Sequence, residues 1–342
     1  MKKHLNTLFV TTQGAYLAKE GETVTVKVEK KVALRLPVHT LDGIVCFGNV
    51  AVSPFLMGFC AERDVAISFL SEQGRFLARV QGPVSGNVLL RRRQYRLADE
   101  DGSSAGLATN MVAAKVANCR YVLQRARRDH ADKLVDGTLD GAIKRLNAAL
   151  DRLTTALPLD EVRGLEGECA HVYFQAFDNV ITRQKADFFF AKRSRRPPLD
   201  RLNCLLSFVY TLLMHDIRSA LESVGLDPAV GFLHRDRPGR SGLALDMMEE
   251  FRPLADRVVL SLVNRGQVAP SGFTVGGSGG VTMDNETRKT LLVAWQQRKQ
   301  EGRLHPFLEE KMEFGLFFYA QALLLARYLR GDLDGYPPVI WR

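Results

Sequence analysis

Paired cysteines and long apolar runs are what this chain lacks. Its five cysteines, Cys46, Cys60, Cys119, Cys169 and Cys204, are odd in number and scattered, and no Cys-x-x-Cys pair occurs. A zinc ribbon is thereby excluded, and a disulfide framework is not expected. Such usage fits a reducing cytoplasm. Met1-Lys2-Lys3-His4-Leu5-Asn6-Thr7 carries the charge of a signal peptide, but the apolar core that should follow is missing. The longest greasy stretch, Phe314 to Ala326, is interrupted by Gln321 and is too short to span a bilayer. It reads as a buried helix, so no membrane association is expected. No nucleophile elbow and no Walker A loop are found. The glycine run at 276–280 lacks the lysine and the helix context of a phosphate cradle. There is no internal repeat.

What is present is a basic, helix-rich chain. At 342 residues it exceeds one comfortable core, so two domains are expected. Lys and Arg number 47 against 38 Asp and Glu, a net charge of +9. That balance favours a polyanionic partner.

Residues 1 to about 85 read as strands. Val24-Thr25-Val26-Lys27-Val28 has the period of two, with a turn at Lys19-Glu20-Gly21-Glu22 before it. Lys31 to Pro37, Leu41 to Gly48, Ala66 to Leu70 and Phe76 to Val80 are further short strands. Ser53 to Arg63 is the exception: Phe55, Leu56, Phe59 and Cys60 recur at helical spacing. After Leu89 the texture changes. A helix opens at Leu90, and Asp99 to Ser104 reads as a polar break. Met111, Val112, Val116, Cys119, Val122 and Leu123 then mark one helical stripe, and Ile143, Leu146, Leu150 and Leu153 another. Further helices are predicted over roughly 160–180, 200–223, 242–252, 254–264, 284–300 and 307–330, as the same 3.6-residue period indicates. Residues 272–283 form a small hairpin or a loop. The expected fold class is α+β: an N-terminal β-rich domain over 1–88, a linker over 89–105 and a larger all-α domain over 106–342.

Three side chains have the chemistry of one divalent-cation site. Glu166 lies in a helix whose apolar neighbours Cys169, Ala170, Tyr173 and Phe174 bury one face. A cation would offset the cost of an unpaired carboxylate there. Taken alone, Glu166 reads equally as an acid near a helix N-terminus, favoured by the macrodipole. His234 follows a turn and precedes Arg235-Asp236-Arg237, the place of an ordinary surface histidine. Asp246 and Glu249 are three apart, so they share a helix face, and stacked like charges call for a cation between them. Taken alone they are a solvated acidic face, with Glu250 adding to it. As a set, carboxylates suit Mg²⁺ or Mn²⁺, an imidazole raises the share of Mn²⁺, and such an ion activates water or a hydroxyl at a phosphodiester.

Ile181 to Asp200 is basic, with Arg183, Lys185, Lys192, Arg193, Arg195 and Arg196, interrupted by Phe188-Phe189-Phe190 and ended by Pro197-Pro198. Its arginines are placed to hold phosphates over the Glu166 helix. The three phenylalanines read as core plugs. The DNA-contacting set is Lys192, Arg193, Arg195, Arg196, Arg235 and Arg237.

Four segments occur in one order: Gly164-Leu165-Glu166-Gly167 with Tyr173-Phe174; Arg196-Pro197-Pro198 with Asn203-x-Leu205-Leu206-Ser207-Phe208-x-Tyr210-x-Leu212-Leu213; Gly231-Phe232-Leu233-His234; and Leu243-x-Leu245-Asp246-x-x-Glu249-x-Phe251-Arg252-Pro253. Together they resemble the CRISPR-associated spacer-acquisition integrase family (Cas-one), over nearly the whole chain. The resemblance implies metal ligands at Glu166, His234 and Glu249, and a supporting catalytic acid at Asp246. It implies a homodimer through the β domain and a small ferredoxin-like partner, the second-numbered Cas protein. It also implies double-stranded DNA, both protospacer and CRISPR repeat, as substrate, with Mg²⁺ or Mn²⁺ as cofactor. The expected activity is that of a DNA endonuclease and integrase, inserting short foreign fragments into a CRISPR array by 3′-hydroxyl transesterification. The competing expectations are a non-catalytic DNA-binding scaffold whose acids merely pair with Arg235, Arg237 or Arg252, and a metallohydrolase acting on RNA or small phosphate esters.

Overall fold

Short strands build the first part of the chain, as the sequence indicates. In this computed structural model, residues 7–41, 43–63, 65–72, 76–80, 82, 88–129 and 137–341 are described. Strands β2 (Tyr16–Glu20), β3 (Thr23–Val28) and β4 (Lys31–Pro37) form an antiparallel meander, with β6 (Ala51–Val52) beside β2. A second sheet has the order β1 (Thr7–Val10), β5 (Gly43–Phe47), β7 (Ala66–Leu70), β8 (Phe76–Val80); only β8 is antiparallel. Leu17, Val24, Ile44 and Ile67 are fully buried in one apolar cluster. Helix α1 (Pro54–Ala61) starts where Ser53 accepts a hydrogen bond from the Leu56 amide and Pro54 has no amide proton to lose. Leu56, Phe59 and Cys60 are its buried face; Phe55, counted in that stripe from sequence, is 84% exposed. Its place in the first turn points it to solvent.

This unit comprises Met1–Gly86 with Leu292–Gly302 and Glu313–Leu316; the other comprises Asn87–Leu291, Arg303–Met312 and Phe317–Arg342. In the second unit α2 (Val88–Asp99) and α3 (Asp101–Asp129) follow each other with only Glu100 outside a helix. The predicted linker and polar break are therefore helical: Asp101 opens α3 as a favourable first-turn acid, and the Ser104 hydroxyl donates back to the Leu97 and Ala98 carbonyls. Helix α3 packs on α4 (Thr138–Arg152), α5 (Leu159–Phe177) and α7 (Gly242–Asn264), and α6 (Arg201–Ser223) packs on α7. All six residues of the predicted α3 stripe are buried.

Three further expectations change. Helix α7 runs unbroken through Pro253, where sequence reading divides it; burial of both halves outweighs the one amide hydrogen bond that proline removes. The stretch between α8 (Asn285–Gln300) and α9 (Gly315–Arg330) is not helix but a small ladder of β11 (Gly302–Leu304) and β12 (Lys311–Glu313). And α6, not the stretch at 314–326, is long and apolar enough to cross a membrane; most of it is buried within the protein, as in a core helix. Strands β9 (Phe273–Val275) and β10 (Val281–Met283) make a hairpin, one of the two expected forms. Its tip, Gly276-Gly277-Ser278-Gly279-Gly280, has the letters of Gly-x-Ser-x-Gly but joins strand to strand. The strand-to-helix turn that exposes a nucleophile is not there. All five cysteines are buried and free.

Candidate metal centre

Glycines bring the site's loop onto its helix. Residues 227–234 lie against the start of α7, and a Cβ on Gly231 would stand 2.6 Å from Asp246 Oδ2 and from the Gly242 carbonyl carbon. A Cβ on Gly242 would stand 2.7 Å from the Ala229 carbonyl oxygen. Only glycine permits that approach at either position. Gln94 of α2 fastens the same loop, donating at 2.8 Å to the Asp227 and Val230 carbonyls and accepting from the Asp227 amide.

Asp246 is the anchor. It is fully buried, and its carboxylate accepts from the backbone amides of Phe232, Leu233 and His234 at 2.6, 2.9 and 2.9 Å. Its Oδ1 also faces His234 Nδ1 at 2.6 Å. With Nδ1 donating there, a neutral ring turns its lone pair to Nε2, which meets no hydrogen-bond partner among the described residues. A carboxylate that fixes an imidazole in this way is the usual support of a metal-binding histidine.

Glu166 lies about two turns into α5, past the reach of the helix dipole, so the macrodipole explanation does not apply to it. Nor do Asp246, Glu249 and Glu250 form a solvated face: all three are buried. Glu166 and Glu249 instead converge on one cationic atom, the Nζ of Lys115 on α3. Lys115 donates to Glu166 Oε1, and its Nζ lies 2.6 Å from Glu249 Oε2. Glu249 Oε2 is not aligned to accept a hydrogen bond there, so this buried oxygen has an ion pair only. Its other oxygen accepts from Arg252 Nε at 2.9 Å. Burial alone would push the Glu249 carboxyl up; Arg252, Lys115 and His234 override it and hold the carboxyl down at about 2. Lys115 is fully buried as well, and the two glutamates keep its ammonium charged against that cost.

These residues suit a divalent cation in kind. Two carboxylates already meet at a positive centre, and the His234 ring, held by Asp246, lies near enough to act on Glu249. In the arrangement seen, however, no group of three or more His, Cys, Asp and Glu side chains closes around a metal-sized point among the described residues. Lys115 stands between the acids.

Lys115 and Gln94 are absent from the sequence-derived site. Lys115 had a signal: it falls four residues after Met111 and four before Cys119, on the apolar stripe, where an unpaired ammonium is costly.

The basic segment divides. Lys192, Arg195, Arg196 and Arg237 are exposed. Arg235 is exposed too, but shares its head with Asp160 at 2.8 Å. Arg193 turns inward: it donates to Asn203 Oδ1 at 2.6 Å and to Ser207, and lies over the Tyr210 ring. Arg252 lies over the same ring, and the Tyr210 hydroxyl donates to Asp256, as does that of Tyr173. Phe188 and Phe190 are the expected plugs; Phe189 is 47% exposed. An open cleft of about 1110 Å³ is lined by His234, yet by neither Glu166 nor Glu249. Asp99, Asp101, Asp160, Asp236 and Asp334 also line it, which is the wrong sign for a phosphate chain.

The family model described as "CRISPR associated protein Cas1" matches residues 8–297. The CRISPR-associated endonuclease Cas1 1 of Chlorobaculum tepidum is 57% identical over 343 residues, covering 100% of both chains. Among solved structures, a casposase bound to integration product superposes with a TM-score of 0.84 at 20% identity, covering 98% of this chain and 94% of that one. A Cas6-RT-Cas1–Cas2 complex gives a TM-score of 0.82 at 23% identity, covering 100% of this chain and 36% of that one. At those identities the two structures speak for the fold alone.

Proposed function

The chain belongs to the Cas1 family of CRISPR-associated proteins, and from that premise we propose that it is a metal-dependent DNA endonuclease and integrase of the spacer-acquisition stage of antiviral defence. The observation that carries the reading is the convergence of Glu166 and Glu249, from different helices, on one positive centre beside an imidazole with its Nε2 free. The names of the endonuclease relative and of the casposase with its integration product support the same chemistry.

In this reading Glu166 and Glu249 supply hard oxygen ligands and His234 Nε2 the nitrogen. Bound there, Mg²⁺ or Mn²⁺ would polarise a phosphoryl oxygen and favour ionisation of the attacking hydroxyl. The DNA 3′-hydroxyl oxygen forms a new bond to phosphorus, and the old bridging P–O3′ bond breaks. The attacking hydroxyl gives its proton to water and the departing O3′ takes one from water, so bonds, protons and charge balance without a protein nucleophile. Asp246 holds the His234 ring and its loop. Arg252 braces Glu249 from the far side. Lys192, Arg195, Arg196 and Arg237 grip backbone phosphates, which position DNA without reading its sequence.

The partners are protospacer and repeat duplexes, a second copy of this chain, and the second-numbered Cas protein, whose presence in the structural neighbour supports the assignment. The β unit offers apolar residues to a second copy: Val32 and Leu34 on edge strand β4, and Phe76 and Leu77 on edge strand β8. Five free buried cysteines support a reducing cytoplasm.

One observation favours the scaffold reading instead: Lys115 and Arg252 already neutralise both glutamates. Glu166→Ala separates the two. The integrase reading expects strand transfer in Mn²⁺ to fall roughly 10³-fold, the equivalent of several kcal/mol, with duplex affinity largely kept. Undiminished transfer by this variant means that Glu166 is not a ligand; a wild type that binds duplex but transfers no strand in Mn²⁺ leaves the scaffold.

A further inference from the structure

We propose that Lys115 is a resident counter-ion that occupies the cation's place and must be displaced for the site to load. The inference rests on the metal reading given above.

The geometry is specific. Nζ covers Glu166 Oε1 and Glu249 Oε2, the oxygens through which the two acids meet. The remaining Glu249 oxygen is committed to Arg252. Glu249 therefore offers a newcomer only the side that Nζ holds, and Glu166 Oε1 faces the same point. Two carboxylates face one ammonium and one guanidinium, so the half-buried Glu166 and the buried Glu249 stay converged in a balanced cluster. Adding a dication beside an ammonium at this depth brings like charges together where water screens little. Removing Nζ from between the acids relieves that repulsion and frees both oxygens at once. Lys115 is thus a positioning residue with a cost: it keeps the acids aligned and weakens the site's hold on metal.

Calorimetric titration of the full-length protein with MnCl₂ tests this, in wild type, Lys115→Met, Lys115→Gln and Glu166→Gln. Competition predicts that Lys115→Met binds Mn²⁺ about tenfold more tightly than wild type, within the range of coupling between two ligands of one site. It also predicts a lower melting temperature without metal and a larger rise with it. A lysine that merely supports the fold would give the opposite affinity change, since loosened ligands bind more weakly. Unchanged or weaker Mn²⁺ binding in Lys115→Met, with binding abolished by Glu166→Gln, overturns this proposal and leaves the proposed function standing. Wild-type binding that Glu166→Gln does not alter removes both. Should Lys115→Met fail to fold, Lys115→Gln, which keeps a polar head without the charge, carries the same expectation. Should neither fold, ¹⁵N-lysine spectra of wild type decide: saturating Mg²⁺ must erase or shift one of the slowly exchanging Nζ signals, and a set of signals untouched by Mg²⁺ overturns the proposal.

Discussion

The β-rich segment and the helical unit bury different things. Among the described residues of Met1–Gly86 the buried polar ones are Thr25, Ser53 and Ser68, none of them charged, around an apolar cluster of Leu17, Val24, Ile44 and their neighbours. The helical unit buries Lys115, Asp246, Glu249, Glu250 and Asp256. Hydrophobic burial alone stabilises the first; charges there would only add desolvation cost. The second carries that cost, and every one of these five groups has charged or hydrogen-bonding partners. Buried ionic networks are weak evidence of stability. The joining of Lys115, Glu249 and Asp246 to Glu166 and His234 is better read as the requirement of a site.

Substitutions can break or sharpen this contrast. The largest effect on function, after loss of Glu166 itself, is expected from Asp246→Asn. The amide nitrogen cannot accept from three backbone amides and a ring nitrogen, so the His234 loop loosens. Strand transfer should fall about 10- to 100-fold, as for other groups that orient metal ligands; an Asp246→Asn enzyme of wild-type rate would remove its orienting role. Leu17→Ala is the counterpart in the β unit. It should cost roughly 2–5 kcal/mol in denaturant unfolding while leaving the transfer rate below the melting transition intact. A rate loss there would mean the two cores are not functionally separate.

A third expectation concerns pH. Burial pushes the Asp256 carboxyl up from 3.8 to about 6, although the Tyr210 and Tyr173 hydroxyls donate to it. Between those values the folded protein keeps a proton that the unfolded chain has released. The stabilising share of this group is therefore complete below pH 3.8 and is lost as pH rises through 6. The loss is roughly 3 kcal/mol at neutral pH. Asp256→Asn should flatten the decline in urea midpoint over that window, and a slope identical to wild type would place the titration elsewhere. The smallest effect is electrostatic. Arg195→Ala and Arg196→Ala should each reduce the salt dependence of DNA affinity by about one counterion, whereas Arg193→Ala should instead loosen the Asn203 and Ser207 contacts and lower stability. Equal salt slopes for all three would put Arg193 on the DNA as well.

Much of this was legible in the chain. A period-two run gave β3, short runs bounded by turn residues or proline gave β4, β5, β7 and β8, and helical apolar spacing gave α1. Weaker patterns hid the short strands β1 and β2. Local rules misjudged the continuity of α7 because tertiary burial, not propensity, carries a helix across Pro253. The same rules took Asp101–Ser104 for a break, since acids and serines suit a helix's first turn as well as a loop.

The sequence by itself determined the two-part plan, the glycines and acids of the site, and the excess of positive charge. These follow from side-chain periodicity and from residue chemistry, which are written locally. Only the tertiary structure decided that Lys115 stands between Glu166 and Glu249, that Asp246 serves the His234 loop, and that Arg193 faces inward. Each is a contact between residues far apart in the chain, and charge pairing at close range is set by how helices pack, which no single segment encodes.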